Sequence, residues 1–323
     1  MTGPADNEAV ARTAAILGDR AVPDVAIGAL TTYRVGGRAA LFARLEGEDD
    51  LRAVARAVAE TGIPVLVVGK GSNLLVTDRG FPGLAVVLGD AFAQVQIDGT
   101  AVRAGGAASL PVVARRTVAA GLTGFEWAVG VPGSIGGAVR MNAGGHGSDM
   151  AATLDRVRVL DLRTGHDEEV SPAALELRYR SSNLGAHQLV VAAAIHLAPG
   201  DRTASEATLA EIVRWRRENQ PGGPNAGSVF TNPDGSSAGQ LIDGAGLKGL
   251  RVGSASVSTK HANFIQADEG GLADDVHALM AEVRTRVFVA SGVVLEPETR
   301  MVGFAPFADP RDGGAIDLQG EAR

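Results

Sequence analysis

Hydrophobic positions in this chain fall into short β-branched runs broken by glycine, separated by a few stretches of helical spacing. Val65 to Val68 form one apolar run, which breaks into Gly69-Lys70-Gly71-Ser72-Asn73 and resumes as Leu74, Leu75 and Val76. That pattern predicts strand, tight loop, strand. Upstream, Leu51, Val54, Ala55 and Val58 recur at helical spacing between a capping Asp49 or Asp50 and a stop at Gly62, so a β-α-β arrangement is expected. Before it, Thr31 to Ala39 is β-like and ends in a double-glycine turn, and Asn7 to Leu17 suits a short Ala-rich helix. Downstream come a buried strand at Leu84 to Leu88 and a hairpin through Asp98-Gly99, with Val95 and Ile97 facing Val102 and Ala104. A helix over Leu110 to Ala120 is capped by Gly121.

Strands follow at Val157 to Leu162, Glu168 to Val170 and Leu189 to Leu197, and Pro199-Gly200-Asp201 marks a boundary. Beyond it a helix opens with Thr203 and Glu206 at capping-box spacing and turns Leu209, Ile212 and Val213 inward. The rest predicts a helix near Ala238 to Ala245, a strand-like Ser254 to Ser258, and a long helix from Leu272 to about Ala290. A last strand, Val293 to Gly303, would carry Glu296, Glu298 and Arg300 on one face.

Two segments are not explained by packing alone. The Gly69 to Asn73 loop reads either as a plain hairpin turn or as an anion-binding nest, in which successive N–H groups and the Ser72 and Asn73 side chains meet a phosphate. It has neither the Walker nor the Rossmann spacing. Gly124 to Gly147 is glycine-rich yet holds Trp127, Val129, Val131, Ile135, Val139 and Met141. It is either a surface loop or a buried backbone lying against a flat, bulky ligand; the latter would make it a second wall of one cofactor site.

Length and charge narrow the class. At 323 residues there is room for two or three domains. A net charge of -7 argues against non-specific binding to nucleic acid or anionic membranes. With 0 Cys there is no disulfide, thiolate metal site or cysteine nucleophile, and no metal is expected in the site. No stretch reaches the roughly 20 apolar residues needed to span a bilayer and no leader pattern opens the chain, so a cytoplasmic location is expected. Met1 to Asn7 and Phe307 to Arg323 are rich in Pro, Gly, Asp and Ala and are expected to be mobile.

An ordered series of motifs carries a family resemblance. It runs Thr32-Tyr33-Arg34-Val35-Gly36-Gly37, Gly69 to Val76, Gly130-Val131-Pro132-Gly133-Ser134-Ile135-Gly136-Gly137-Ala138, Met141-Asn142-Ala143-Gly144 and Tyr179-Arg180-Ser181-Ser182. It continues with Gly227-Ser228-Val229-Phe230, Asn232-Pro233, Lys260-His261-Ala262-Asn263-Phe264 and Glu298-x-Arg300. The chain resembles the UDP-N-acetylenolpyruvoylglucosamine reductases (MurB), also called UDP-N-acetylmuramate dehydrogenases. The resemblance implies an α+β fold of the vanillyl-alcohol-oxidase (PCMH) type, with two subdomains gripping FAD and a smaller α+β substrate domain. The implied division is a tail over 1–18, FAD-binding subdomains over 19–90 and 91–200, a substrate domain over 201–303 and a tail over 304–323. It also implies chemistry: NADPH reduces non-covalent FAD, flavin N5 delivers hydride to C3 of UDP-N-acetylglucosamine enolpyruvate, and protonation at C2 gives UDP-N-acetylmuramate for peptidoglycan. A monomer is expected.

Hydride addition to an enol ether builds enolate-like charge onto the adjacent carboxylate, which calls for a fixed cation and a proton source. The resemblance assigns Arg180 as that cation, Ser228 as the proton donor to C2 and Glu298 as a carboxylate assisting across the same group. Outside that frame Arg180 is a solvated strand-end residue, Ser228 a turn residue and Glu298 an edge-strand carboxylate. Tyr33, Gly69, Lys70, Gly71, Ser72, Asn73, Leu74, Val131, Pro132, Gly133, Ser134, Gly137 and Ala138 are the expected flavin contacts, mainly through backbone. Tyr179, Asn232, Lys260 and Asn263 are the expected substrate contacts. Only Asn183 to Gln188 separates Ser182 from the next strand, so this chain resembles the shorter form of the family, without an inserted tyrosine loop, and Ala267 stands near where the family usually has Asn. The rival readings are another flavin oxidoreductase of the same fold and a non-catalytic nucleotide-sugar binding protein.

Overall fold

The computed structural model describes residues 7–312. In the first unit, α1 (Asn7–Leu17) precedes β1 (Val22–Val25), β2 (Ala39–Leu45), α2 (Glu48–Thr61), β3 (Val65–Val67), β4 (Leu74–Val76) and β5 (Phe81–Leu88). Ala39, Leu41, Ala43 and Leu45 alternate into the core from β2, while β5 is buried on both faces through Leu84, Ala85 and Val86. β5 lies between β2 and β3, parallel to both, and each of its faces meets a core: Leu84 and Val86 join α1 and α2 residues, and Ala85 joins Ile27 and Val68; β1 adds antiparallel on the outer edge of β2. A β-α-β unit is therefore present, but its first strand is Ala39–Leu45 rather than the expected Thr31 to Ala39, and β5 is inserted between its strands. Its helix α2 buries Leu51, Val54, Ala55 and Val58, sets three acidic residues at its positive end, and stops where Gly62 turns left-handed at φ 66°.

Two expectations for this unit are corrected. Residues 7–17 are not a tail: α1 lies along α2, with Leu17 buried and Thr13 Oγ1 donating to Thr61 Oγ1 at 2.9 Å. Residues 31–38 are not β-like either, since regular pairing begins only at Ala39 and the approach is a bent loop with Arg34 at φ 57°. Residues 1–6 lie outside the described residues.

The second unit holds β6 (Val95–Asp98), β7 (Ala101–Gly105), α3 (Leu110–Ala119), β8 (Leu122–Thr123), α4 (Ile135–Met141), β9 (Gly144–Gly145), β10 (Ser148–Asp149), β11 (Leu154–Asp161), β12 (Asp167–Val170), β13 (Gln188–His196), β14 (Ala198–Pro199) and α5 (Arg202–Asn219). Its five-stranded antiparallel sheet runs β12-β11-β13-β7-β6, as the alternating hairpin pattern requires. Leu160, Leu162, Leu189 and Val191 from this sheet join the core of the first unit, so the two share a hydrophobic seam. Helix α5 packs on this second unit. Its Ile212 is buried with Trp127 and Val129, and Ser205 Oγ donates to the buried Glu126 at 2.6 Å. The expected domain start at 201 thus moves, on packing, to the end of α5; Val213, expected to face inward, is 43% exposed.

The third unit contains α6 (Ala238–Gly244), a small antiparallel sheet of β15 (Arg251–Val252), β16 (Ala255–Val257) and β17 (Ile265–Ala267), α7 (Ala273–Ser291) and β18 (Arg300–Val302). The predicted inner face of α7, Val276, Leu279, Met280, Val283 and Val287, is fully buried. Of the expected last strand only β18 pairs regularly, and it pairs parallel to β4 of the first unit. Pro297, which has no N–H for a ladder, sits in the part that does not. Past β18 the chain is anchored: Phe304 and Phe307 stack on the two faces of His277, 4.5 and 4.4 Å between ring centres. The stretch after 303 is therefore docked at least to Ala308, whose carbonyl accepts from Arg284 Nη1 at 3.2 Å. Residues 313–323 lie outside the described residues.

Candidate active site

The three units meet around a cavity of about 640 Å³. One wall is Val65 to Leu74, a second is Gly130 to Ser134 with residues of α4, and the third brings Arg180, Arg216, Ser228 and Glu298. The two glycine-rich segments singled out in the sequence thus form adjoining walls. They approach closely: a methyl group on Gly69 would fall 2.8 Å from Ser134 Oγ. Gly71 is at φ 63°, and a side chain there would strike the Leu30 carbonyl, while Thr32 N–H binds the Gly71 carbonyl at 3.1 Å. At Gly137 the reverse holds, since an added carbon would meet only Ser134 Oγ, at 3.6 Å, and otherwise open cavity. The glycine-rich stretch is not all coil: Ser134 caps the seven-residue α4, its Oγ accepting from Gly137 N–H at 3.4 Å.

A second cavity of about 290 Å³ lies between the sheets of the first two units, walled by Phe42, Val67, Val87, Leu88 and Val190. It shares Val67, Val68, Gly69, Lys70, Ser134, Gly137 and Arg140 with the large one. A third, of about 340 Å³, is lined by Asn232, Asp243, Lys248, Lys260, His261 and Asn263 and shares Ser228 with the large one.

Arg180 and Glu298 meet in the large cavity. Arg180 Nε lies 2.8 Å from Glu298 Oε1, an ion pair whose N–H is not aligned on the oxygen, and Arg180 Nη2 donates to the Gly144 carbonyl at 3.0 Å. Its backbone is left-handed at φ 54°, in the tight turn that Arg178 and Ser181 close with two main-chain hydrogen bonds. Glu298 is placed by its own main chain, with its N–H on the Val229 carbonyl and its carbonyl accepting from Asn73 Nδ2 at 3.0 Å. Burial pushes the Glu298 carboxyl above the ordinary glutamate range, against the opposing pull of Arg180. Ser228 precedes Val229 in the same loop, which is pinned by Val229 N–H on the Asn263 carbonyl and by Gly227 N–H on Asn225 Oδ1.

Other predicted residues are placed differently. Tyr33 does not line the cavity; it is fully buried against Val35, Leu75 and Phe230, and burial drives its phenol pKa far up. Asn73 lines the cavity but spends its amide on Glu298, so it joins the two walls. Asn263 is buried, with Oδ1 accepting from Phe230 N–H and Nδ2 donating to the Phe230 carbonyl. It clamps the Ser228 loop, which leaves one N–H of its amide towards the third cavity that it lines. Asn232 Oδ1 accepts from Ala238 N–H at the start of α6, and Lys260 Nζ donates to the Arg217 carbonyl; both line the third cavity. Tyr179 is 59% exposed, with the Arg180 guanidinium 5.0 Å over its ring.

Pattern reasoning missed Arg140 and Arg216, which line the large cavity beside Lys70, Arg180 and Arg300. Burial lowers the pKa of both. Arg216 had a signal, since it lies four residues after Ile212 on the inner face of α5; Arg140 had none. Five cations thus face one carboxylate, Glu298, in a protein of net charge -7. Together with an approachable backbone at Gly137 and two adjoining chambers that share Lys70 and Arg140, that donor set fits a dianionic dinucleotide with a flat ring system at each end.

Residues 39–171 match the family model for an FAD-binding domain. With the two α+β units and the cleft between them, this defines an FAD-binding flavoprotein of the vanillyl-alcohol-oxidase type. Residues 219–302 match the C-terminal domain of UDP-N-acetylenolpyruvoylglucosamine reductase. The chain is 46% identical over 290 residues to the UDP-N-acetylenolpyruvoylglucosamine reductase of Heliobacterium modesticaldum, covering 89% of this chain and 90% of that one. It is 42% identical to reductase 2 of Symbiobacterium thermophilum over 87% of this chain and 91% of that one. The crystal structure of the Thermus caldophilus UDP-N-acetylenolpyruvylglucosamine reductase superimposes with a TM-score of 0.76 at 35% identity, covering 87% of this chain and 98% of that one. The chain belongs to the UDP-N-acetylenolpyruvoylglucosamine reductase family, and is an FAD-dependent oxidoreductase of peptidoglycan precursor synthesis.

Proposed function

We propose that the enzyme reduces UDP-N-acetylglucosamine enolpyruvate to UDP-N-acetylmuramate with NADPH as reductant, and that Arg180, Ser228 and Glu298 carry the second half of the reaction. The observation that carries this is the Arg180–Glu298 pair at 2.8 Å in the large cavity, with Ser228 where that cavity opens into the third. When bound, FAD supplies hydride acceptance from NADPH and hydride donation to C3 of the enolpyruvyl group. Arg180 presents a planar fork to the substrate carboxylate, on which negative charge grows as C3 is attacked. Glu298 and the Gly144 carbonyl fix that fork from two sides. Ser228 Oγ donates the proton to C2; the hydroxyl has no protein partner among the described residues, which leaves it free to turn to a ligand.

The third cavity takes the nucleotide end of the substrate, with Lys260, Lys248 and Asn232 on its rim, and Arg216 faces the diphosphate in place of a tyrosine loop. Gly69 to Leu74, Val131 to Ser134, Gly137 and Ala138 hold the flavin. The enzyme works as a monomer in the cytoplasm, where its nucleotide substrates are. No helix among the described residues is long and apolar enough to cross a membrane.

An anaerobic two-step assay tests this. The flavin bands should bleach with NADPH and recover with UDP-N-acetylglucosamine enolpyruvate. Recovery only with oxygen would replace the reductase with an oxidase, and a protein that takes up no FAD would leave a binding protein.

A further inference from the structure

Arg140 stands in the last turn of α4, and it lines both the large and the small cavity. It is half-buried, and no carboxylate pairs with it among the described residues; the charge nearest to it in effect is Arg300, another cation. A partly desolvated cation without a counter-charge is costly, yet the structure builds support for it. Its Nη1 donates to the Gly185 carbonyl at 2.8 Å, and its own carbonyl accepts from Ser182 Oγ at 2.7 Å. Gly185 is held in turn, its N–H on Gln188 Oε1 at 2.7 Å. The short Asn183 to Gln188 turn therefore holds Arg140 where both cavities reach it.

FAD has two ring systems joined by a diphosphate. The small chamber is lined by apolar side chains, Phe42, Val87 and Leu88 among them, with Arg44, Asp90 and Gln188 also on its walls. It shares Arg140 with the large chamber, so a molecule with one ring system in each would carry its linker past Arg140. We propose that Arg140 is the cation that pairs with the FAD diphosphate where the two chambers adjoin, and that the Gly185 carbonyl positions it. This rests on FAD binding but not on the identity of the substrate.

The test is flavin retention by the purified holoprotein. Arg140→Met keeps the length and apolar stem but removes the charge. It should release FAD roughly ten- to a hundred-fold faster than wild type, with a flatter dependence on salt. Binding of riboflavin, which has no phosphate, to the deflavinated protein should change by less than about twofold, since a remote charge adds little to a neutral ligand. Arg140→Lys should fall between, a point charge replacing a fork. Equal FAD release by wild type and Arg140→Met overturns the assignment. So does an equal loss of FAD and riboflavin, which would make Arg140 only a brace for the 183–188 turn. A wild-type protein that takes up no FAD would sink the flavin itself, and an oxidase that passes this test would leave Arg140 standing.

Discussion

The two sides of the cleft are built by different means. The side from Gly69 to Asn73 and Gly130 to Gly137 is mostly backbone, and its shape depends on side chains that are absent: Gly71 fits only without one, and Gly137 leaves open space where one would be. The opposite side is three side chains from three distant parts of the chain, Arg180, Ser228 and Glu298, held by main-chain bonds through Gly144, Val229 and Asn73. A steric wall and a chemical wall should fail differently. Filling space on the first should cost flavin or fold, while an isosteric change on the second should cost rate and leave the yellow protein intact.

The largest effect expected is from Ser228→Ala. If its hydroxyl delivers the proton, reoxidation of reduced flavin by the enolpyruvyl substrate should slow roughly a thousandfold, the usual scale for loss of a general acid. Flavin reduction by NADPH should stay within about twofold, because that step needs no proton from Ser228. Stopped-flow absorbance of the two half-reactions checks this; equal slowing of both would make Ser228 a loop residue. Next comes Arg180→Lys. Replacing a fork held at two points by a point charge should cost roughly a hundredfold in kcat for the same half-reaction, with FAD content unchanged. Loss of flavin in this variant would dissolve the distinction between the walls.

Within the steric wall, Gly71 and Gly137 separate two causes. Gly71→Ala puts a side chain at φ 63° against the Leu30 carbonyl and should cost about 2 kcal/mol of stability, seen as a lowered Tm even without flavin. Gly137→Ala meets no backbone and sits in a helix, so the apoprotein Tm should hold or rise slightly while FAD uptake falls. If both variants lost stability alike, the open space at Gly137 would be packing and not a ligand seat.

Much of the fold was legible because periodicity reports burial. The α2 and α7 faces, the β6–β7 hairpin and the run that becomes β3 were all visible as spacing, whereas β2 was expected too early, over Thr31 to Ala39. What could not be read were contacts between segments far apart in the chain. Nothing local to Val10, Ala14 and Leu17 says that α1 docks on α2, and nothing local to Phe304 and Phe307 names His277 as the ring between them. The site divides the same way. Gly71 announces itself because a glycine loop between apolar runs needs a backbone reason. Asn73 and Asn263 look like ligand donors in sequence, and only the fold reveals that their amides bind Glu298 and Phe230 and so join parts of the site. Arg140 stands out only once two cavities are seen to meet at it.

The smallest effect concerns what holds the two walls in register. Arg158 on β11 binds Glu48 at the start of α2, at 2.7 Å, and Asp167 on β12, at 2.6 Å, tying the first unit to the second away from the cleft. The Arg158 hydrogen bond lowers the Glu48 pKa below its ordinary value. The stabilisation is therefore complete above the ordinary glutamate range and disappears as pH falls through the lowered value. Glu48 is 47% exposed, so solvent screening leaves about 0.5 kcal/mol or less for the pair. Glu48→Gln should lower Tm by a degree or two at about pH 7, and the difference from wild type should shrink as pH falls through the lowered Glu48 value, below which both carry a neutral side chain at that position. Its FAD retention and both half-reaction rates should equal those of wild type at neutral pH. A change in either would mean that the walls take their shape from how the units are tied together, and that the backbone wall and the side-chain wall are not independent.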